Sequence, residues 1–452
     1  MRTTAVILAA GQGTRMRSEL PKVLHSILGH PLAWYALEAA RKSTGTQPVM
    51  VIGHAGETVR QALGEVADYV VQEPQLGTGH AVMQAESLLR GEADLVLVTY
   101  ADMPLVTSET LSSLIKTQQT HAGPITMLTA IADDPRGFGR VIRKADGSVQ
   151  EVVEEAQATS IQLAIRELNV GMYCFDGRWL WEALKRIPLS PKGEYYLTDL
   201  VGIAVSDGLP VQAVTALNPS EMIGINTRVH LAEATTLIRQ RINQAWMLAG
   251  VTLLDPATVY IEPDVTIGQD TVIWPNTYLH GKTVIGQACT LGPNTMVHNT
   301  QIGSRCKVVA SVLEQAVLED DVDMGPFGHL RKGAHLSRGV HMGNFGEVKN
   351  STLGPGTKMG HFSYIGDAQI GPSVNIGAGT ITCNYGVDGK KNTTEIGEGA
   401  FIGSDTMLVA PVKIGAGAVT GSGSVVTKNV PADTLVVGVP ARAIRKLEGR
   451  KK

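Results

Sequence analysis

The sequence predicts a chain in two parts: an α/β doubly wound, mostly parallel sheet, followed by a left-handed parallel β-helix of hexapeptide repeats. A change of period carries that prediction. Residues 1 to about 225 alternate short apolar strands with helical patterns, which argues a largely parallel sheet covered on both faces. From residue 261 to about 438 aliphatic side chains recur at every sixth position. Neither a helix nor an ordinary strand has that period, but a triangular coil of three short strands does. Composition agrees, since 50 glycines and 5% aromatic residues suit close backbone stacking better than bulky cores. At 452 residues the chain has length for about two to four domains. The expected boundaries are 1–226, a linker helix over 227–250, and 251–452.

The first strand, Ala5-Val6-Ile7-Leu8, runs into Gly11-Gln12-Gly13-Thr14-Arg15-Met16, with Leu20-Pro21-Lys22 close behind. A strand entering a Gly-rich turn ahead of a helix aims a row of backbone N–H groups at an anion. Such a turn on its own serves packing as readily as phosphate binding. Arg15 and Lys22, placed where phosphates would sit, favour phosphate. Further strands are expected at Val49–Gly53, Asp94–Val98 and Ile125–Thr129, and helices at Leu32–Arg41 and Ser108–Gln119. Ligands of such sheets bind beyond the carboxyl ends of the strands. Gly11–Arg15 and Tyr100-Ala101-Asp102 both follow strand ends, so both should face one crevice. The run from 227 to 250, rich in Leu, Ala, Gln and Arg, reads as a long helix ending at Gly250.

The repeat begins Ile261, Ile267, Ile273, Leu279, Ile285, Leu291, Val297, and glycine often follows the aliphatic residue, as in Ile267-Gly268 and Ile285-Gly286. Side chains 18 residues apart should stack in successive coils, about 4.8 Å apart. Arg331 then lies beside Lys349, and two stacked cations are better explained by a phosphate between them than by a structural role. The same count stacks His280 on His298, a surface ladder with no third ligand in view. His329, His335 and His341 fall on three different faces. Between Ile376 and Ile396 the period stretches to 20 residues, which marks a polar loop around Thr380–Lys391.

A net charge of −3 gives no field for nucleic acid or a membrane surface. The basic tail Arg445-Lys446 to Arg450-Lys451-Lys452 reads as a solvated terminus. The N-terminal apolar run is too short for a signal-peptide core, and no stretch approaches the ~18 residues of a membrane span. A cytoplasmic protein is expected. Cys174, Cys289, Cys306 and Cys383 form no C-x-x-C pair and read as reduced, mostly buried thiols.

Taken together, Leu8–Met16, Gln75-Leu76-Gly77-Thr78-Gly79-His80, Glu221–Asn226, Gly360-His361-Phe362-Ser363-Tyr364 and Asn375–Gly379 through Cys383-Asn384-Tyr385 resemble a known family. It is that of the bacterial bifunctional N-acetylglucosamine-1-phosphate uridylyltransferases/glucosamine-1-phosphate N-acetyltransferases. The resemblance covers essentially the whole chain and implies a Rossmann-like nucleotidyltransferase head. It implies Mg²⁺ held by Asp102 and Asn226, which suits a hard cation taking oxygen ligands. It places UTP or UDP-sugar on Leu8, Ala9, Ala10, Gly11, Lys22, Gln72, Gly77, Thr78, Asp102 and Asn226, with Gly139, Glu154 and Asn169 on the acetylated sugar. Lys22 and Arg15 would neutralise the triphosphate. In the tail it implies His361 as general base, oriented by Glu347. Glucosamine 1-phosphate would lie on Arg331, Lys349, Tyr364, Asn375 and Lys390, and acetyl-CoA on Ala378, Asn384, Tyr385, Ser404 and Ser422. A homotrimer is implied, with each acetyltransfer site assembled from neighbouring chains.

Two positions depart from the family pattern. Ala101 replaces a glycine; if that position needed a positive φ, alanine would cost free energy or tilt Asp102. An arginine near the CoA phosphates has no counterpart in Gly438-Val439-Pro440, leaving Arg442, Arg445 or Lys446 to substitute. Two other readings stand beside this one. A single-activity nucleotidyltransferase with a structural β-helix has no use for His361, Asn384 and Tyr385 together. A non-catalytic regulatory subunit needs no intact Gly11–Arg15 turn, Lys22, Asp102 or Asn226.

Overall fold

Strands β1 (Thr3–Leu8), β2 (Val49–Ile52), β3 (Asp68–Val71), β4 (Leu95–Tyr100), β5 (Ile125–Ile131), β6 (Arg140–Arg143), β7 (Val149–Val153), β8 (Glu167–Asp176) and β9 (Val211–Thr215) form one sheet. The computed structural model describes residues 1–447, so Arg450, Lys451 and Lys452 of the basic tail lie outside the described residues. The strand order is β9-β5-β8-β4-β1-β2-β3, with the β6–β7 hairpin beside β8. All neighbours on the path run parallel except β8, which is antiparallel to both β4 and β5. Alternation explains the two covered faces. Ala5, Ile7, Leu95 and Leu97 pack on one side with helices α1 (Leu32–Thr44) and α2 (Ser108–Thr120). Val6, Leu8, Val96 and Val98 face the other, against Leu180, Trp181 and Leu184.

The Gly-rich turn after β1 differs from expectation. No full helix follows; the chain makes a single 3₁₀ turn at Thr14–Met16 and another at Lys22–Leu24. Gly13 (φ 64°) and Arg17 (φ 49°) flank the first turn in the left-handed region, and Pro21 precedes the second, so helical propagation stops at once. A Cβ at Gly13 would lie 2.6 Å from Lys22 Cβ, so glycine lets the turn close onto the lysine stem.

The chain divides into two compact units between Ile238 and Arg239, inside the 21-residue helix α3 (Arg228–Leu248). Among the described residues no helix is long and apolar enough to cross a membrane. In the second unit three sheets of 12, 10 and 9 strands, parallel except for the antiparallel end strand Ala441–Lys446 of the first, form the faces of a prism, beginning with Thr252–Leu253, Tyr260–Ile261 and Thr266–Ile267 respectively. The six-residue aliphatic series is its interior: Ile273, Leu279, Leu291, Val297 and Leu330 are fully buried. Each such side chain contributes roughly 1.5–3 kcal/mol relative to exposure. Glycine follows because coils touch at the corners. A Cβ on Gly268 would meet the Gly286 carbonyl carbon at 2.6 Å, and one on Gly286 would meet that of Gly303 at 2.6 Å. Ile242 and Trp246 of α3 pack on the first coil, and buried Asn243 donates to the carbonyls of Pro256 (2.9 Å) and Val259 (3.0 Å).

The coils are not uniformly 18 residues. Leu279 pairs with Val297, Val297 with Leu313 and Leu313 with Leu330, steps of 18, 16 and 17. The excursion is also longer than the spacing suggests. Ile376 and Ile396 lie on different faces; the true partners are Ile370 with Ile396 and Ile376 with Ile402, a coil of 26 residues. Ile381–Cys383 remains a strand of the second face, so the loop occupies Asn384–Thr393. The histidines fall as expected: His280 pairs with His298, and His329, His335 and His341 stand on three different sheets.

Candidate functional sites

Strand ends β1 and β4, which are neighbours, open into two adjoining cavities of the first unit. One of about 330 Å³ is lined by Leu8, Ala9, Ala10, Gly11, Lys22, Gln72, Gly77, Thr78 and Asp102. The other, about 410 Å³, takes Arg15, Gly139, Glu154, Asn169 and Asn226. Thr78, Tyr100, Asp102 and Tyr196 border both, so the two form a continuous crevice. Every head residue expected to hold substrate or metal therefore lines one crevice.

Lys22 Nζ donates to Asp102 Oδ2 and lies 3.4 Å from Asn226 Oδ1. A carboxylate and an amide oxygen thus converge on one small cation, here an ammonium. Both donors are hard oxygens, and a Mg²⁺ ion that keeps waters and takes phosphate ligands needs few protein groups, so the pair fits that metal. Gln72 is buried; its Nε2 donates to the Gly77 carbonyl at 2.8 Å and lies 3.2 Å from His80 Nδ1. Gly77 has φ 93°, and a Cβ there would meet the Tyr195 carbonyl at 2.7 Å. Gln75 Nε2 donates to the Ala10 carbonyl at 2.6 Å, tying two walls of the nucleotide-sized cavity together. In the other cavity Glu154 accepts from Thr198 Oγ1 at 3.0 Å, and buried Asn169 accepts from Tyr173 Oη at 3.0 Å. Burial, with the carboxylates of Asp102 and Glu154, holds the Tyr100 hydroxyl far above its ordinary pKa, so it stays a neutral donor. Ala101 is buried but outside the left-handed region, so alanine brings no backbone strain beside Asp102. Sequence reasoning missed Arg136, Tyr196, Thr198 and His230. A Tyr195-Tyr196 pair in a chain with 5% aromatics is the one signal among them; the others carry no local motif.

In the prism the tail residues gather along two edges of the second face. On one edge Arg331 follows Leu330, in register with Val348 and Lys349, so the two cations stack as expected. Glu347 Oε1 accepts from Arg331 Nη1 at 2.9 Å, which offsets the repulsion. Within one chain the Glu347 carboxylate is therefore engaged with the Arg331–Lys349 column, and it is in register with Tyr364. A Cβ at Gly366 would meet Tyr364 Oη at 2.4 Å and Asn384 Nδ2 at 2.8 Å, so both polar tips converge over that glycine. Asn384 Nδ2 donates to Asp367 Oδ2 at 2.6 Å, and exposed Tyr385 and Lys390 follow in the loop. On the other edge His361 is exposed at the corner before Ser363–Gly366. Gly379 N donates to the Phe362 carbonyl, Asp405 N to that of Ala378, and Gly423 N to that of Ser404. His361, Ala378, Ser404 and Ser422 thus form one ladder down that corner. Asn375 stands on the neighbouring first face. Arg442 belongs to a terminal hairpin, where it pairs with Val437.

Known proteins match this layout throughout. Residues 5–169 match the MobA-like NTP transferase domain, and residues 393–428 match the bacterial transferase hexapeptide family (six repeats). The bifunctional protein GlmU of Heliobacterium modesticaldum is 48% identical over 96% of this chain and 95% of its own. That of an Exiguobacterium species is 46% identical over 97% of each chain, and that of Geobacillus thermodenitrificans 46% identical over 99% of each. At such identity over nearly the full length of both partners, this chain belongs to the family of bifunctional GlmU proteins.

Proposed function

We propose a residue-level account of how this bifunctional enzyme of UDP-N-acetylglucosamine biosynthesis works. The C-terminal unit acetylates glucosamine 1-phosphate with acetyl-CoA, and the N-terminal unit transfers UMP from UTP to N-acetylglucosamine 1-phosphate, releasing pyrophosphate. The observation that supports the account best is the convergence of Lys22, Asp102 and Asn226 in the crevice. In the head, Asp102 and Asn226 would hold Mg²⁺, which when bound would neutralise phosphate charge. Gln72, Gly77 and Thr78 frame the uridine end, and Gly139, Glu154 and Asn169 grip the acetylated sugar. Lys22 and Arg15 face the triphosphate. The sugar-phosphate oxygen attacks the α-phosphorus in line as pyrophosphate departs. No covalent enzyme intermediate is required; positioning and charge neutralisation supply the rate.

In the tail, Arg331 and Lys349 bind the sugar phosphate and His361 removes a proton as the 2-amino nitrogen attacks the thioester carbonyl. The tetrahedral intermediate collapses with loss of the CoA thiolate. Tyr364, Asn375 and Lys390 complete the sugar site, and Asn384, Tyr385 and the Ala378–Ser404–Ser422 ladder receive acetyl-CoA. The phosphate column and the His361 ladder lie on opposite edges of a face four residues wide, roughly 10 Å at a strand's rise. A second copy supplying the missing edge answers that separation. Phe327, Phe345 and Phe362, all more than half exposed, line the His361 corner, and the first two rings stack at 5.2 Å. Exposed apolar stripes of this kind mark protein contacts. A homotrimer closed by these edges is the expected assembly. A coupled assay with acetyl-CoA, glucosamine 1-phosphate, UTP and Mg²⁺ tests the reading. UDP-N-acetylglucosamine and pyrophosphate should form only when all four are present, and product without acetyl-CoA or without Mg²⁺ would refute it.

A further inference from the structure

His230 sits on the first turn of α3, where its backbone N–H donates to Thr227 Oγ1 at 3.3 Å. Its half-buried ring lines the 410 Å³ cavity together with Arg15, Asp102 and Asn226. The Asn226 backbone N–H donates to His230 Nδ1 at 3.4 Å. With Nδ1 accepting, the ring proton belongs on Nε2, which leaves an N–H donor as the remaining polar edge. The nearest acid along the helix, Glu233, is held by both terminal nitrogens of Arg136, at 2.8 and 3.3 Å. Arg136 lines the same cavity, so this end gathers donors around the start of a 21-residue helix. Such a setting suits a phosphate. His230 lines only the cavity that also carries Glu154 and Asn169, and is absent from the one bounded by Leu8–Gly11, Gln72 and Gly77.

The geometry points to His230 as a further substrate-binding residue of uridylyl transfer, its Nε2–H holding the phosphate of the sugar 1-phosphate acceptor. In that role it sets the attacking oxygen beside Asp102 and Asn226. The inference rests on the proposed placement of the two substrates in the crevice. It is tested by steady-state kinetics of the full-length enzyme with Mg²⁺, varying N-acetylglucosamine 1-phosphate at saturating UTP and then the reverse. His230→Ala should raise KM for the sugar phosphate about ten-fold or more, as loss of a hydrogen bond to a charged group predicts, with KM for UTP within about two-fold. His230→Gln, which keeps a donor, should recover most of that loss, and acetyl transfer should be unchanged in both. Unaltered KM for the sugar phosphate in His230→Ala, a loss confined to UTP, or a glutamine variant as impaired as the alanine variant would each overturn the role. An inactive wild-type enzyme would instead overturn the underlying reading of the crevice.

Discussion

Lys22 meets Asp102, 80 residues away, and Asn226, 204 residues away, at a single point of the crevice. Replacing Asp102 by Ala removes the charged half of that oxygen pair. Uridylyl transfer should fall at least about a hundred-fold, the scale on which lost electrostatic stabilisation is felt. Acetyl transfer should stay within about two-fold of wild type when both rates are measured on one preparation; equal loss of both in a folded variant would refute the division of labour. His361→Ala should do the reverse. The amine it serves resembles an α-amino group with a pKa of about 8, so much of it is protonated near neutrality. Loss of the base should slow acetyl transfer by about 10²–10⁴, with partial recovery at high pH as free amine accumulates. Wild-type acetyl transfer at neutral pH in this variant would leave His361 without a chemical role.

Among the elements, the segment entering the helix at Thr78 shows most directly how backbone geometry shapes the crevice. Gly77 holds φ 93° with the Tyr195 carbonyl 2.7 Å from where a Cβ would sit. Gly77→Ala should cost about 1–3 kcal/mol at that residue and raise KM for UTP, read by melting curves and by kinetics, while the prism keeps its own stability. The same scale shows what the sequence made legible. The solenoid is readable because aliphatic side chains repeat at a fixed step. Part of the crevice is readable because Leu8–Met16, Gln75–His80 and Glu221–Asn226 are distinctive short motifs, whereas the wall with Gly139, Glu154 and Asn169 carries none. The turn after β1 looks in sequence like the entry to a helix, but Gly13 and Arg17 in left-handed conformations end the winding after one turn. The loop is longer than a six-residue count suggests, because Ile376 and Ile396 look equivalent in that count but belong to different faces. The Arg331–Glu347 pair is not visible in an 18-residue count, because Glu347 stands two residues before Lys349, the residue opposite Arg331, and meets the arginine diagonally.

For the whole molecule, the edge bearing Phe327, Phe345 and Phe362 supplies the test of assembly. If the proposed trimer closes on this edge, Phe345→Ser should shift light scattering toward monomer and lower acetyl transfer at dilute protein, leaving uridylyl transfer intact. A stable, fully acetyltransferase-active monomer would exclude a site shared between chains.

The prism's ladders have a consequence for how it comes apart. Within one chain each coil touches only the coils above and below it, so its stability adds up along one dimension. Opening should start where a coil lacks a neighbour and travel inward, giving amide hydrogen exchange that is fastest at the end strand Ala441–Lys446 and slowest near Leu330–Ile365. The opposite end is held by Ile242, Asn243 and Trp246. Asn243→Ala should therefore release exchange protection first in the opening coil, at Thr252–Leu253 and Tyr260–Ile261, with the middle coils unaffected. Uniform loss of protection along the prism would show that it opens as a single cooperative body instead.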